Sequence, residues 1–409
     1  MTGFPEVMPI PEEVLDIARR LEAAGFETWC VGGAVRDFLL GEPGSDVDLA
    51  TAAAPADVLR LFRRTVPIGI DHGTIAVLDR QGGMHEVTTF RRDVQTDGRH
   101  AVVAFGADIG EDLARRDFTI NAIAYHPLRH RWLDPFHGAD DLERGIVRAV
   151  GGPADRFRED YLRIVRALRF AARLGFTVDA ATWTAAMAEV DGITGLSAER
   201  VRDEWFKGLR TAKRASELAR LWREVGALRF WLPELASACA PGAVQLLALD
   251  RFPGNDPVLL TSYLSDAPAA TLERLKCSRA EIARARAIGE ARPLPHSMSD
   301  AAVRRWLSDV GPGADDLVAI AVAEGAGVGA GAGAALANAV GRIRAAGDAI
   351  VVGDLAVDGH DALRAGIAPG PSVGRALGTL LNEVLDDPGR NTRDHQLRRL
   401  RDLASSGQS

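Results

Sequence analysis

Two aspartates at alternate positions, Asp46 and Asp48, are the residues of this chain best placed for chemistry. In an extended strand, residues two apart point to the same face. Both carboxylates therefore aim at one point, a donor set suited to a hard divalent cation such as Mg2+. Upstream, Gly32 and Gly33 mark a turn whose exposed N–H groups suit phosphate oxygens, and Arg36 and Asp37 follow on a helix-like segment. Singly these features are ordinary: an isolated Asp-x-Asp is usually a solvated strand end, and a glycine pair a turn. Their order and short spacing, with Leu49-Ala50-Thr51 continuing the strand into an alanine-rich helix start, point to a site that binds a nucleoside triphosphate with metal and transfers part of it.

A second cluster reads Arg115-Arg116-Asp117-Phe118-Thr119-Ile120-Asn121-Ala122. It fits a helix start with a surface charge pair, or an arginine clamp on a triphosphate, because guanidinium forks match phosphate oxygens. Asp134-Pro135-Phe136-His137-Gly138 reads as a rigid turn acting as a hinge, with His137 structural rather than a base. A third cluster places Asp160, Arg163, Arg166 and Arg169 three residues apart, on one slowly rotating stripe of a helix beside apolar Leu162, Val165 and Leu168. By itself this is a solvated helix with an internal ion pair. Hydrogen-bond logic gives a second reading. Cytosine and adenine both present an exocyclic amino donor beside a ring-nitrogen acceptor; uracil and guanine present the reverse. An Asp that accepts and an Arg that donates, one helical turn apart, would select CTP and ATP over UTP and GTP.

The elements around these residues divide the chain in two. Residues 11–24 form an amphipathic helix, Thr28–Val31, Thr74–Leu78 and 86–90 read as short strands, and 55–62 as a helix. From about residue 140 strand signals vanish, and helical patterns run over 155–174, 180–190, 197–211, 214–226, 268–291 and 299–308. The Gly-Ala run at 325–334 lacks the spacing of a dinucleotide fingerprint and reads as a loose connection or weak helix start. Residues 345–405 form a last segment: Gly366 to Gly374, an apolar helix from Ala376, and a basic helix ending near Arg401, with His360-Asp361 as a turn. Pro369 to Gly374 opens a helix whose free N–H groups suit a backbone phosphate; a tight turn packing two helices is the equal alternative.

At 409 residues the chain exceeds a single core. No long apolar run marks a signal peptide or a membrane span, so a cytoplasmic protein is expected. Cys30, Cys239 and Cys277 lack metal-ligand spacing and read as reduced, buried residues. The net charge of −7 argues against a general nucleic-acid binder. The cations are nearly all arginine, lysine occurring only at 207, 213 and 276, so local arginine clusters can still build a basic surface.

In order, Gly-Gly-x-Val-Arg-Asp, Asp-x-Asp, Arg-Arg-Asp-Phe-Thr-Ile-Asn-Ala, Asp-Pro-Phe-x-Gly and Glu-Asp-x-x-Arg, then Leu196 to Glu204, resemble the motifs of class II tRNA nucleotidyltransferases (CCA-adding enzymes) and their poly(A) polymerase relatives. The match runs from about Phe26 to Arg210. The resemblance implies an α+β head with a small mixed, polymerase-β-like sheet, followed by an all-α neck, body and tail. Head 1–142, neck 143–212, body 213–330 and a tRNA-binding tail 331–409 are expected. It implies that Asp46 and Asp48 carry Mg2+, with Glu86 as a third carboxylate. Gly33 and Arg36 would contact the nucleotide, Gly32 and Asp37 shape the turn, and Arg116 hold triphosphate or ribose. Asp160 and Arg163 would read the base, supported by Arg166 and Arg169. The implied reaction adds CCA to the 3′ end of tRNA from CTP and ATP, releasing pyrophosphate. Residues 92–104 match the flexible loop of full CCA-adding members. A CC-adding or A-adding enzyme, or a poly(A) polymerase, is the alternative, and further off a binding protein that kept the fold and lost catalysis.

Overall fold

A computed structural model describes residues 3–42, 46–69, 73–96, 101–290, 293–325 and 331–406. The chain divides into two compact units: Met1–Ala236 with Arg274–Lys276, and Ser237–Glu273 with Cys277–Ser409.

The first unit begins with α1 (Glu12–Ala23), β1 (Thr28–Val31), α2 (Gly33–Leu39), β2 (Asp48–Thr51), α3 (Pro55–Leu61), β3 (Thr65–Gly69), β4 (Thr74–Leu78) and β5 (Met84–Thr89). It continues through β6 (Arg91–Thr96), β7 (Ala101–Phe105), α4 (Ile109–Ala114), β8 (Ala124–His126), β9 (Arg131–Leu133) and α5 (Gly138–Arg144). Seven of these strands form one mixed sheet in the order β3-β4-β5-β2-β1-β8-β9. Only β2 and β5 run parallel; the other neighbours are antiparallel. Central β1 reads Thr-Trp-Cys-Val, β-formers buried on both faces, as an interior strand requires. α1 lays Val14, Ile17, Ala18 and Leu21 inward, the apolar stripe of an amphipathic helix. The small mixed sheet expected from the sequence is present.

Helical structure then takes over: β10 (Ile146–Val147), α6 (Pro153–Glu159), α7 (Leu162–Leu174), β11 (Thr177–Val178), α8 (Ala180–Glu189), α9 (Ala198–Thr211), α10 (Ala215–Val225) and α11 (Leu228–Trp231). Buried Trp205 of α9 and Trp222 of α10 meet edge to face, centroids 5.0 Å apart. β10 and β11 pair in parallel over two residues each, too short to leave a periodicity. The helix expected over 155–174 is two helices, broken at Asp160, whose backbone is extended and whose carboxylate accepts the Leu162 N–H at 3.1 Å. Asp160 therefore lies in the break, ending α6 and accepting the first N–H of α7, instead of on the α7 stripe.

The remaining helices are α12 (Val244–Ala248), α13 (Pro257–Leu264), α14 (Pro268–Arg274), α15 (Arg279–Gly289), α16 (Asp300–Val310), α17 (Ala314–Gly325), α18 (Ala332–Ala346), α19 (Gly359–Arg364), α20 (Pro371–Asp386) and α21 (Arg393–Ser405). The helix expected over 268–291 breaks where Lys276 takes φ +55°, and Ser278 with Glu281 starts α15 as a capping box. In the second unit one core gathers Val303, Trp306, Leu317, Leu336, Val340 and Ile343; another gathers Val357, Ile367, Leu377, Leu380, Leu400 and Leu403. Within the glycine run, Gly333 opens α18 so close to α17 that a Cβ there would lie 2.2 Å from the Ala321 carbonyl oxygen; residues 326–330 lie outside the described residues. His360-Asp361 is not a partnerless turn: it starts α19, and buried Asp361 accepts from Arg364 and Arg393, tying α19 to α21. The three cysteines are buried, and none is joined in a disulfide. Among the described residues no helix is long and apolar enough to cross a membrane.

Candidate active site

The candidate site begins where β1 ends. Gly32 caps α2 at φ +78°, in the left-handed region that favours glycine. A Cβ there would lie 3.4 Å from Arg116 Nη1 and 3.7 Å from Asp48 Oδ2. Gly32 thus keeps a narrow gap open between a guanidinium and a carboxylate. Asp48, first residue of β2, stands opposite Val31. The parallel pairing of Leu49 with Val87 brings Glu86 of β5 beside Asp48 on the same face. Burial, the Glu86 charge and a smaller push from Asp46 raise the Asp48 carboxyl to about 6 against the pull of Arg116. Asp46 is exposed and precedes the strand.

Among the described residues, no three Asp, Glu, His or Cys side chains converge tightly enough to form a closed metal cage. The carboxylates nevertheless fit a divalent cation. They repel one another across a partly buried gap, which a cation relieves, and Mg2+ commonly takes only one or two carboxylates plus water and substrate phosphates.

Arg116 lines the other side. Its Nη2 donates to Asp112 Oδ2 at 3.1 Å and its Nη1 to the Asn121 carbonyl at 3.4 Å, while its buried Nε finds no partner among the described residues. Asn121 is the hub behind it. Its Oδ1 accepts from Arg36 Nη1 at 2.7 Å, and its Nδ2 donates to Asp117 Oδ1 at 2.9 Å. Arg36, expected to touch the nucleotide, is 3% exposed; it also donates to Asp37 Oδ1 through Nε (2.8 Å) and Nη2 (2.6 Å). Burial and these bonds place Arg36 behind the turn rather than at its open face. Asp37 also accepts from Arg173 of α7 at 3.0 Å, tying the turn helix to α7.

The α7 arginines continue this network. Arg166 donates to Asp117 Oδ2 through Nε (2.8 Å) and Nη2 (2.6 Å) and lies 3.5 Å from Glu204. Buried Arg169 donates to Glu204 Oε2 at 2.5 Å, with its guanidinium 4.2 Å from the Phe170 ring centroid. Burial works to raise the Asp117 carboxyl, but Arg166, Asn121 and the Phe118 N–H together hold it below the usual range. Arg163 donates to Glu159 Oε2 (2.7 Å), the Arg156 carbonyl (3.0 Å) and the Arg115 carbonyl (3.1 Å). Asp160 is gripped by Arg200 of α9. The structure therefore joins the Gly32 turn, Arg116 and α7 through Asn121 and Asp117. The roles of Asp117, Asn121, Arg173, Arg200 and Glu204 escaped the sequence reading. The available signal was charge in apolar surroundings: Glu204 sits between Val201, Trp205 and Phe206 on α9 and demands a partner.

The Asp-Pro-Phe-x-Gly stretch braces this wall. Asp134 accepts the Gly138 and Ala139 N–H groups at 2.7 and 3.0 Å, starting α5. A Cβ on Gly138 would lie 2.1 Å from the Thr119 carbonyl oxygen, and Thr119 Oγ1 donates to Asp141 Oδ2 at 2.7 Å. His137 takes φ +57° with its side chain in solvent. Residues 92–96 and 101–104, expected within a flexible loop, belong to the antiparallel β6–β7 ribbon; 97–100 lie outside the described residues.

A mixed sheet presenting facing carboxylates, a glycine gap and an arginine, followed by helices that anchor its back wall, defines a nucleotidyltransferase head on a helical support. Residues 28–148 match the family model "Poly A polymerase head domain", and 175–239 match "Probable RNA and SrmB- binding site of polymerase A". The CCA-adding enzyme of Latilactobacillus sakei is 34% identical over 94% of this chain and 96% of its own. That of Lactiplantibacillus plantarum is 48% identical over 47% of each chain. The crystal structure of the Bacillus stearothermophilus CCA-adding enzyme in complex with CTP superposes with a TM-score of 0.77 at 32% identity, covering 98% of this chain and 99% of that one. The chain belongs to the CCA-adding enzyme family and is a nucleotidyltransferase. Enzymes of this kind work with divalent metal ions.

Proposed function

We propose that this protein adds CCA to the 3′ end of tRNA from CTP and ATP, in the cytoplasm, using Mg2+. The observation that carries the reading is the continuity of the site. The Asp48–Glu86–Arg116 gap across Gly32 is linked, through Asn121 and Asp117, to the helix whose start holds Asp160 and Arg163. One end suits a triphosphate with metal, the other an amino-bearing base.

The tRNA 3′-hydroxyl attacks the α-phosphate of the bound nucleotide; a P–O bond forms, the α–β bridge breaks, and pyrophosphate leaves. Asp46 and Asp48 hold the cation, with Glu86 as a third acceptor. When bound, Mg2+ lowers the pKa of the attacking hydroxyl and neutralises charge on the leaving group. Arg116 grips the triphosphate. Gly32 and Gly33 leave room for the phosphates, while Arg36 and Asp37 hold that turn from behind. Asp160 accepts from the exocyclic amino group of cytosine or adenine and Arg163 donates to the adjacent ring nitrogen, with Arg166 and Arg169 fixing α7 beneath them. We assign 1–142 as head, 143–212 as neck, 213–330 as body and 331–409 as a tail that meets tRNA by shape and phosphates.

The test is incorporation on three tRNA transcripts ending before CCA, after C and after CC, with CTP, ATP or both. Extension of all three to one CCA end is expected. Addition only to the CC end would mark an A-adding enzyme, a stop after CC a CC-adding one, and an unbounded A ladder a poly(A) polymerase. No extension would leave a binding protein.

A further inference from the structure

The break between α6 and α7 carries Asp160, and a residue outside the base-reading pair holds it there. The Asp160 backbone leaves helical geometry at φ −154°, ψ 103°, with its carbonyl accepting the Arg163 N–H at 3.0 Å and its Oδ1 the Leu162 N–H at 3.1 Å. From α9, Arg200 Nη2 donates to Oδ1 at 3.1 Å and to Oδ2 at 2.9 Å. The Arg200 backbone is anchored at the start of α9, where its N–H donates to the capping Ser197 Oγ at 3.4 Å. The two side chains are 35% and 27% exposed, so the pair adds little stability. What it supplies is direction.

A carboxylate offers about four lone-pair positions over two oxygens. Leu162 and Arg200 share Oδ1, while on Oδ2 Arg200 is the one partner among the described residues. An acceptor position therefore remains for a base. We propose that Arg200 is a specificity-determining positioning residue, which by gripping both oxygens of Asp160 keeps the carboxylate from turning away from a mismatched base. This rests on the reading of Asp160 and Arg163 as the base-selecting pair. Uracil and guanine place a carbonyl oxygen where cytosine and adenine place an amino group. Against a fixed carboxylate the two oxygens repel; against a free one the side chain swings into solvent and the wrong base is tolerated. Cognate nucleotides lose only alignment, so discrimination falls further than turnover.

The experiment measures kcat/KM for CTP, UTP, ATP and GTP on tRNA transcripts with the full chain carrying Arg200→Ala, Arg200→Lys or Asp160→Ala, alongside thermal melting. Arg200→Ala is expected to narrow the CTP/UTP ratio about tenfold or more, with the KM for CTP rising more than its kcat falls. Arg200→Lys should recover part of the ratio. If Asp160→Ala narrows the ratio and Arg200→Ala does not, Arg200 positions nothing and the proposal fails while the base-reading role stands. If Asp160→Ala leaves the ratio intact, the base-reading role fails and takes this proposal with it. A uniform loss for all four nucleotides in both Arg200 variants, with lowered melting, would show a purely structural residue and overturn the proposal.

Discussion

At the scale of single residues, the carboxylate gap ties activity to stability. The folded state raises the Asp48 carboxyl to about 6, above its ordinary value, so folding favours the neutral form. The stability this protonation contributes is full below the ordinary carboxylate range and lost as pH rises through about 6. Asp48→Asn is therefore expected to abolish nucleotide incorporation yet raise stability above neutral pH in metal-free buffer by about 1 kcal/mol or more. Denaturant melts with and without chelator check it; equal stability of the two proteins would contradict the crowding of charge. Wild-type activity should fall as pH drops through about 6 at limiting metal, and the midpoint should move lower as Mg2+ is raised, because the cation competes with the proton. A midpoint insensitive to metal would remove Asp48 from the cation site. The two aspartates stand out in the sequence because types and spacing alone suggest a cation site. The burial of Arg36 could not be read in the same way, because a motif records that an arginine is needed and not which way its guanidinium turns.

Elements explain where that legibility stops. The strands at Thr28–Val31 and Thr74–Leu78 coincide with the sequence reading, since local β-former runs and burial agree there. The unbroken helix over 155–174 failed because its break is made by tertiary contact. Asp160 is held by Arg200, and the Tyr161 ring packs where a Cβ on Gly192 would lie 2.1 Å away. Helical periodicity passes through such a break unchanged. The latch at Gly138 is equally non-local, since its glycine is required by the Thr119 carbonyl on another segment. Gly138→Ala is expected to cost about 2–4 kcal/mol by overpacking α5 against the Thr119 turn, and to raise KM for nucleotides by displacing Asn121. Melting and initial rates check this; an unchanged melting temperature would mean the turn yields without cost.

Across the whole molecule, the excess of arginine carries two meanings that composition could not separate. Many arginines are spent internally: Arg284 on Asp256 and Asp316, Arg304 on Asp348 and the Leu385 carbonyl, Arg393 on Asp361. Others, such as Arg398 and Arg401 of α21, face solvent, beside His395 and Arg399 around a shallow groove. For a chain of net charge −7, RNA affinity should come from such local patches. Replacing Arg398 and Arg401 with alanine is expected to weaken tRNA binding at low salt and to flatten the dependence of log K on log salt concentration by about 0.7–0.9 per lost phosphate contact. Filter binding over a salt series measures it; an unchanged slope would take α21 out of the interface. The Asp160 turn also bears on how such a protein can evolve. In the base-reading role proposed for Asp160, one carboxylate both accepts the first N–H of α7 and selects the added nucleotides, so a change of selectivity also touches the α6–α7 break. Substitutions there that keep an acceptor for that N–H, such as asparagine or serine, form a narrower set than recognition alone would require.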